Sequence, residues 1–251
     1  MYNKIYDFCK VRNLGDVYDN SDIEPTPRVK FLMELLDSEG IKYELDKSHS
    51  LRRNITIYNI ILRGTSDKMV VAHHDVNNHN IDNANDNSCS CINAIMVKKL
   101  RPEINVILLD GEEFGGIGSQ KASEQINDGE FGDIKWVLNL ELTGKGGDNF
   151  FIGNYPGVLH DHIKSLFDCP IVNTPFNDSV IFRQNGIDSC VINPIPVLPD
   201  GKESPVIYRE KYLDYSMLFN CHNSRDNIAS IDPADMKEFV EKVVLKIIDE
   251  A

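Results

Sequence analysis

The sequence predicts an α/β fold around a largely parallel sheet, and three observations carry that reading. Short apolar runs at 69–72, 104–109, 136–140 and 190–192 have the length and composition of buried strands. Helical patterns lie between them, so strands and helices alternate along the chain. Three of the runs end on charged residues, as strands do where a sheet edge carries chemistry.

Taken in order, Val29, Leu32, Met33 and Leu36 recur at helical spacing, and Gly40 stands where a C-terminal cap belongs. Strand-like runs follow at 41–45 and 54–62, before the first buried run at 69–72. Residues 90–100 set Ile92, Ile95, Met96 and Leu100 on one helical face, and a further helix follows Gly115. The last helix has the sharpest boundary. Asp232 is an N-cap, Pro233 fits the first turn, and Met236, Phe239, Val240, Val243 and Ile247 form the apolar stripe. The Gly/Pro-rich stretch at about 194–215 is the one long irregular segment. With no repeat, low-complexity tract or linker, residues 1–251 read as a single domain carrying one irregular loop.

Composition narrows the partners. The 251 residues are 41% hydrophobic and 26% charged, the balance of an ordinary soluble globular protein large enough to bury a full core. Acidic residues outnumber basic ones 39 to 26, a formal charge of −13, which argues against nucleic acid or an anionic membrane as partner. No run approaches the roughly 18 apolar residues of a membrane span. The first residues lack an apolar signal core and carry Asp7, Asp16 and Asp19, so a cytoplasmic location is expected. Cys9, Cys89, Cys91, Cys169, Cys190 and Cys221 contain no C-x-x-C pair and are expected to be reduced.

The charged strand ends hold the chemistry. Run 69–72 leads into His73-His74-Asp75, run 104–109 into Asp110-Gly111-Glu112-Glu113, and run 136–140 into Glu141. Asp86 lies in a turn before a helix, and His222 stands in Cys221-His222-Asn223-Ser224-Arg225-Asp226. Carboxylates converging at one edge repel one another unless cations sit among them, so metal binding is the economical reading. Imidazole and carboxylate without thiolate fit zinc, manganese or cobalt better than a structural Cys-zinc site. Asp86, Glu113 and Glu141 supply three negative charges against four positive ones from two divalent ions. That surplus favours ionisation of a water held between the ions. His49, His79, His160 and His162 read as surface groups, and His74 as the spacer of H-x-D. Tyr208, Tyr212 and Tyr215 read as a pocket wall on the irregular stretch.

The ordered set H-x-D, A-x-D-N-S, D-G-E-E-x-G-x-x-G-S, N-L-E and H-x-x-R-D resembles the co-catalytic zinc exopeptidases, and within them the bacterial leucyl-type aminopeptidases. Their fold is shared with the glutaminyl cyclases. The resemblance runs from Met69 to the C-terminus and includes Asn177-Asp178 and Gly186-Ile187. It implies a three-layer α/β/α sandwich around a mixed, mostly parallel sheet, and a hydrolase that removes the N-terminal residue of a peptide using two zinc ions. It further implies His73 and Glu141 as ligands of one metal, Glu113 and His222 of the other, and Asp86 as the carboxylate between them. Asp75 then orients His73, and Glu112 is the general base that takes a proton from water and passes it to the leaving amine. Glu141 departs from the family, where Asp is frequent. Cys89 and Cys91 stand where small or aliphatic residues are usual, a departure that is either neutral or makes activity thiol-sensitive.

Three other readings compete. An N-acyl amino acid or dipeptide amidohydrolase would use similar ligands, but its usual inserted domain has no room in the roughly 80 residues between Glu141 and His222. A glutaminyl cyclase-like acyltransferase needs one metal's ligands only, whereas His73 and Asp75 are both present. A binding module on a retained fold would have lost Glu112 or ligands. The expected partner is a peptide or small amide, and oligomeric state stays open.

Overall fold

A computed structural model of the chain describes residues 1–11, 25–50, 54–77, 80–195 and 221–251, and the backbone of 207–209 and 212–214. Eight strands form one sheet: β1 (Glu44–Ser50), β2 (Ile55–Leu62), β3 (Lys68–His73), β4 (Asn105–Leu109), β5 (Trp136–Leu140), β6 (Phe150–Gly153), β7 (Ile171–Val172) and β8 (Ser189–Pro194). Their order is β1-β2-β4-β3-β5-β8-β6-β7. The centre, β4-β3-β5-β8, is parallel throughout. Antiparallel pairs flank it, β2 on β4 and β6 on β8. A separate two-stranded ribbon pairs β9 (Ile207–Arg209) with β10 (Tyr212–Asp214).

Alternation along the central strands builds two cores. Val70, Ala72, Val106, Leu108, Leu138 and Leu140 point to one face, while Met69, Val71, Ile107, Leu109 and Val137 point to the other. The first face is covered by α1 (Ile5–Phe8), α2 (Pro27–Ser38), α3 (Cys89–Leu100), α5 (Val158–Leu166) and the C-terminal helix. The second face carries α4 (Ile117–Asn127) and α6 (Asp178–Gln184), through Ala122, Ile126 and Phe182. The result is the predicted α/β/α sandwich on a mixed sheet. It places the C-terminal ends of β3, β4 and β5 side by side.

Side-chain caps start two of the helices, and the one at Asp232 is the cap the sequence predicts. The Thr26 hydroxyl accepts from the Val29 amide at 3.3 Å, with Pro27 in the first turn of α2. Asp232 accepts from the Ala234 amide at 2.8 Å and opens α7 (Pro233–Phe239). That helix continues through a wider turn at Val240–Val244 into α8 (Leu245–Asp249), burying Met236, Phe239, Val240, Val243 and Ile247. No helix among the described residues is long and apolar enough to cross a membrane.

The elements that differ from expectation are those with weak local signals. The run at 41–45 is replaced by β1, which starts at Glu44 and reaches Ser50, paired with β2 from Glu44↔Ile61 to Ser50↔Ile55. This edge strand reads Glu-Leu-Asp-Lys-Ser-His-Ser. Ladder hydrogen bonds define it, not apolar periodicity. Strands β6 and β7 and helices α5 and α6 are short, so none presents enough turns or alternations to be read from pattern.

One packing constraint sets the approach to the site. The backbone turns from β4 into α4 through Gly116, at φ 71°, and Gly118. A Cβ on Gly118 would lie 2.3 Å from the Asp110 carbonyl oxygen and 2.5 Å from Asn59 Oδ1. Only glycine lets α4 approach the strand this closely. Gly118→Ala is therefore expected to cost at least 1–3 kcal/mol, the scale of overpacking a core. Denaturant unfolding would measure it, and an unchanged midpoint would show that the junction gives way freely.

Candidate active site

His73 is the last residue of β3 and is buried with its ring facing three carboxylates. Its Nε2 lies 3.3 Å from Asp86 Oδ1 and 3.6 Å from Glu141 Oε2, and its Nδ1 lies 3.4 Å from Asp75 Oδ1. Asp75 does more than face the imidazole. Its two oxygens accept the consecutive backbone N–H groups of Glu112 (3.1 Å) and Glu113 (3.0 Å). One carboxylate thus ties the end of β3 to the turn after β4, which fixes where both glutamate side chains start.

The Asp86 loop is held from two directions. Asp226 accepts the amides of Asn85 (2.7 Å) and Asp86 (3.1 Å) through its two oxygens. Asn87 donates to the Leu140 carbonyl (3.0 Å) and accepts from the Leu142 amide (3.2 Å). The loop is therefore locked both to the His222 turn and to the end of β5, where Glu141 emerges. His222, at φ 59°, reaches back with Nε2 at 3.1 Å from both Asp86 Oδ2 and Glu113 Oε1.

Two clusters result, His73–Asp86–Glu141 and Asp86–Glu113–His222, each with its ligand atoms within 4.8 Å of one another. They share Asp86. Ligand atoms about 2.1 Å from a tetrahedral ion lie about 3.4 Å apart, so the 3.1–3.6 Å separations here fit a divalent cation held by nitrogen and oxygen donors. All six predicted site residues other than Asp75 line one cavity of about 830 Å³, and Asp75 lies directly behind it. Glu112 faces that cavity from outside both clusters.

Electrostatics follow the same geometry. Burial pushes the Glu112 carboxyl well above the usual range, His73 opposing and Asp178, Glu141 and Glu113 adding to the rise. Burial raises Glu113 and Glu141 as well. Against its own burial, hydrogen bonds from His222 and His73 hold Asp86 below the usual carboxylate range. Hydrogen bonds to Asp86 and Glu113 lift His222 to about 10. Without metal, a protonated His222 offsets part of the charge of the clustered carboxylates.

Other singled-out residues sort by contact. His74 is buried, its Nε2 2.9 Å from the Tyr58 carbonyl oxygen, and burial lowers it to about 4, so it is a neutral core histidine. His49 is exposed and pairs with Thr56, while His160 on α5 stands next to Asp161 and His162 contacts the Ile247 carbonyl. The Cys91 thiol donates to the His73 carbonyl at 3.0 Å. Cys89 and Cys91 are both fully buried, and burial raises both thiols, Cys91 to about 12, so neither presents a thiolate at neutral pH. His79 and Tyr215 lie outside the described residues, as do the side chains of Tyr208 and Tyr212 and most of the 194–215 stretch.

The cavity has a wall that sequence pattern does not show. Leu142, Phe151, Val180, Ile181 and Val191 make it apolar, and Phe176, 91% exposed, stands at its rim. Leu142 follows β5, Phe151 and Val191 lie on β6 and β8, and Phe176, Val180 and Ile181 come from α6 and the connection before it. Asp178, at the start of α6, is 1% exposed, and neither of its oxygens makes a well-formed hydrogen bond. Burial lifts it to about 7, from an unfolded value near 3.8. A carboxyl with a raised folded pKa stabilises only below its unfolded pKa, and that contribution is lost as pH rises toward 7. Asp178→Asn is therefore expected to make the metal-free protein more stable at pH 8 by roughly 2–4 kcal/mol, with little gain at pH 4. Equal gains at both pH values, by urea unfolding, would contradict this.

A sequence model of peptidase family M28 matches residues 59–247. No curated protein matches the chain by sequence. Among solved structures, the LapA aminopeptidase of Legionella pneumophila superposes with a TM-score of 0.69 at 13% identity, covering 100% of this chain and 72% of that one. The glutaminyl cyclase of Porphyromonas gingivalis gives 0.68 at 17% identity, covering 100% and 99%. BSAP, a zinc aminopeptidase from Bacillus subtilis, gives 0.58 at 18% identity, covering 78% and 50%. At these identities the likeness to the solved structures is one of fold.

Proposed function

The chain belongs to peptidase family M28, and from that premise we propose that it is a two-metal aminopeptidase, with zinc as the metal. The observation that carries this reading is the pair of ligand clusters sharing Asp86, with Glu112 beside them and outside both. In this reading His73, Asp86 and Glu141 hold one ion, and Asp86, Glu113 and His222 hold the other. Bound there, the ions would polarise the scissile carbonyl and lower the pKa of water. The chain's own groups do the rest. Glu112, its carboxyl raised by burial, accepts the proton of the attacking water and delivers it to the departing amine. The Glu112 and Glu113 amides stay anchored on Asp75, so the base keeps its place beside the ligands.

The cavity lining supports a substrate with a free amino end. Among its described residues are Asp86, Glu112, Glu113 and Glu141 and no Lys or Arg. A carboxypeptidase or a deacylase acting on free amino acids needs a cation for the substrate's carboxylate, whereas a free α-ammonium is attracted to this lining. The apolar wall then receives the N-terminal side chain.

A glutaminyl cyclase-type reaction has one observation in its favour, since the chain spans nearly the full length of the Porphyromonas gingivalis cyclase. One substrate panel separates the readings. Aminoacyl amides and dipeptides with free N-termini are expected to be hydrolysed, while N-acetylated analogues are not. Ammonia release from an N-terminal glutaminyl peptide, without shortening of that peptide, would replace the hydrolase reading by the cyclase. Turnover confined to N-acetylated substrates would replace it by the amidohydrolase.

A further inference from the structure

Arg28 lies on α2, thirty-one residues before the start of the family match, and is 1% exposed. Its neighbours on that face of α2 are Val29, Leu32, Leu35 and Leu36, all buried, so simple core filling would call for another aliphatic residue. A buried guanidinium is costly unless its fork of N–H donors finds acceptors. Here the fork spans two segments of the candidate metal centre. Nε donates to the His74 carbonyl at 2.8 Å, and Nη2 donates to Ser88 Oγ at 2.8 Å. Nη1 reaches the Val11 carbonyl at 3.4 Å, and the guanidinium carbon lies 4.0 Å from the Phe8 ring centroid.

The two acceptors bracket the ligands. His74 sits between His73 and Asp75. Ser88 is two residues beyond Asp86, and its hydroxyl donates to the Asn83 carbonyl at 2.6 Å, closing the loop that carries Asp86. A planar fork holds its acceptors at one separation, which a flexible ammonium does not. Across those two segments His73 Nε2 and Asp86 Oδ1 lie 3.3 Å apart. We propose that Arg28 is a positioning residue for the metal centre, clamping the His73 segment to the Asp86 loop and thereby setting the metal affinity of the site those two residues share.

This rests on the metal-binding reading above, and the test separates the two. The measurement is Co²⁺ affinity by competition with a chelating dye, together with the Co²⁺ absorption spectrum and the unfolding midpoint of the metal-free protein. Arg28→Met keeps the volume and loses the fork. It is expected to weaken Co²⁺ binding about 10–100-fold, the usual scale for groups that orient metal ligands, and to alter the spectrum. Arg28→Lys keeps the charge without the fork and should lose affinity in the same direction. Phe8→Leu disturbs the same packing without touching either acceptor, so it should lower the midpoint and leave Co²⁺ affinity unchanged. If Arg28→Met does not fold, Arg28→Lys and Ser88→Ala decide by the same readouts. Wild-type affinity and spectrum in the folded Arg28 and Ser88 variants would overturn the proposal, as would an equal affinity loss in Phe8→Leu. Wild-type protein that binds no Co²⁺ would instead overturn the metal-binding reading itself.

Discussion

Glu112→Gln is expected to keep both metals and substrate affinity while kcat falls by about two to four orders of magnitude, or ~3–5 kcal/mol of barrier. The substitution preserves the shape of the cavity wall and the backbone anchors on Asp75, and removes only the capacity to take up a proton. Its neighbour should fail differently. Glu113 faces His222 at 3.1 Å within a ligand cluster, so Glu113→Ala should weaken one metal and regain part of its activity at high metal concentration. His222→Ala should resemble Glu113→Ala, because both would serve the same ion. Steady-state kinetics beside metal analysis reads all three, and an undiminished kcat in Glu112→Gln would refute the base assignment even with the metal site intact.

Chelation is expected to abolish hydrolysis, and Zn²⁺, Co²⁺ or Mn²⁺ to restore it, with two ions per chain at saturation. Metal removal should also lower the unfolding midpoint, since a ligand at 100 times its dissociation constant stabilises by about 2.7 kcal/mol. The metal-free site explains a further signature. His222, held near 10 by Asp86 and Glu113, is protonated at pH 7 and must release its proton to bind a cation. Metal binding should therefore release protons in calorimetry across buffers of different ionisation enthalpy, and affinity should fall on acidification. The sign for the metal-free fold is the reverse. A raised imidazole pKa stabilises fully below its unfolded value near 6.5, and that contribution is lost as pH rises through about 10. Full activity at one tightly held metal per chain would sink the two-metal reading.

The candidate site was legible in the sequence because each of the residues that the fold brings together follows a readable signal. His73, Glu112, Glu113 and Glu141 stand just beyond apolar runs, Asp86 stands before a helix, and His222 lies in a polar turn. Strand burial and helix capping are local, so pattern exposes them, and a charge at the carboxyl end of a parallel strand has few other uses. The same locality explains α2, α3, α4 and the C-terminal helix. Which atoms meet is a different matter, because it depends on the crossover order β4-β3-β5-β8 and on hydrogen bonds between segments far apart in the chain. Only the tertiary structure shows Asp75 gripping the Glu112 and Glu113 amides, or Asp226 tying the His222 turn to the Asp86 loop. It alone turns Arg28 from one residue of an apolar helix face into a clamp across 46 and 60 residues. The apolar cavity wall likewise joins Leu142, Phe151, Val180, Ile181 and Val191 from separate elements, and only their packing brings them to one surface. Residue type and local spacing determined which groups could supply chemistry, and long-range packing decided which of them gather around Asp86, which stands outside both clusters, and what holds them there.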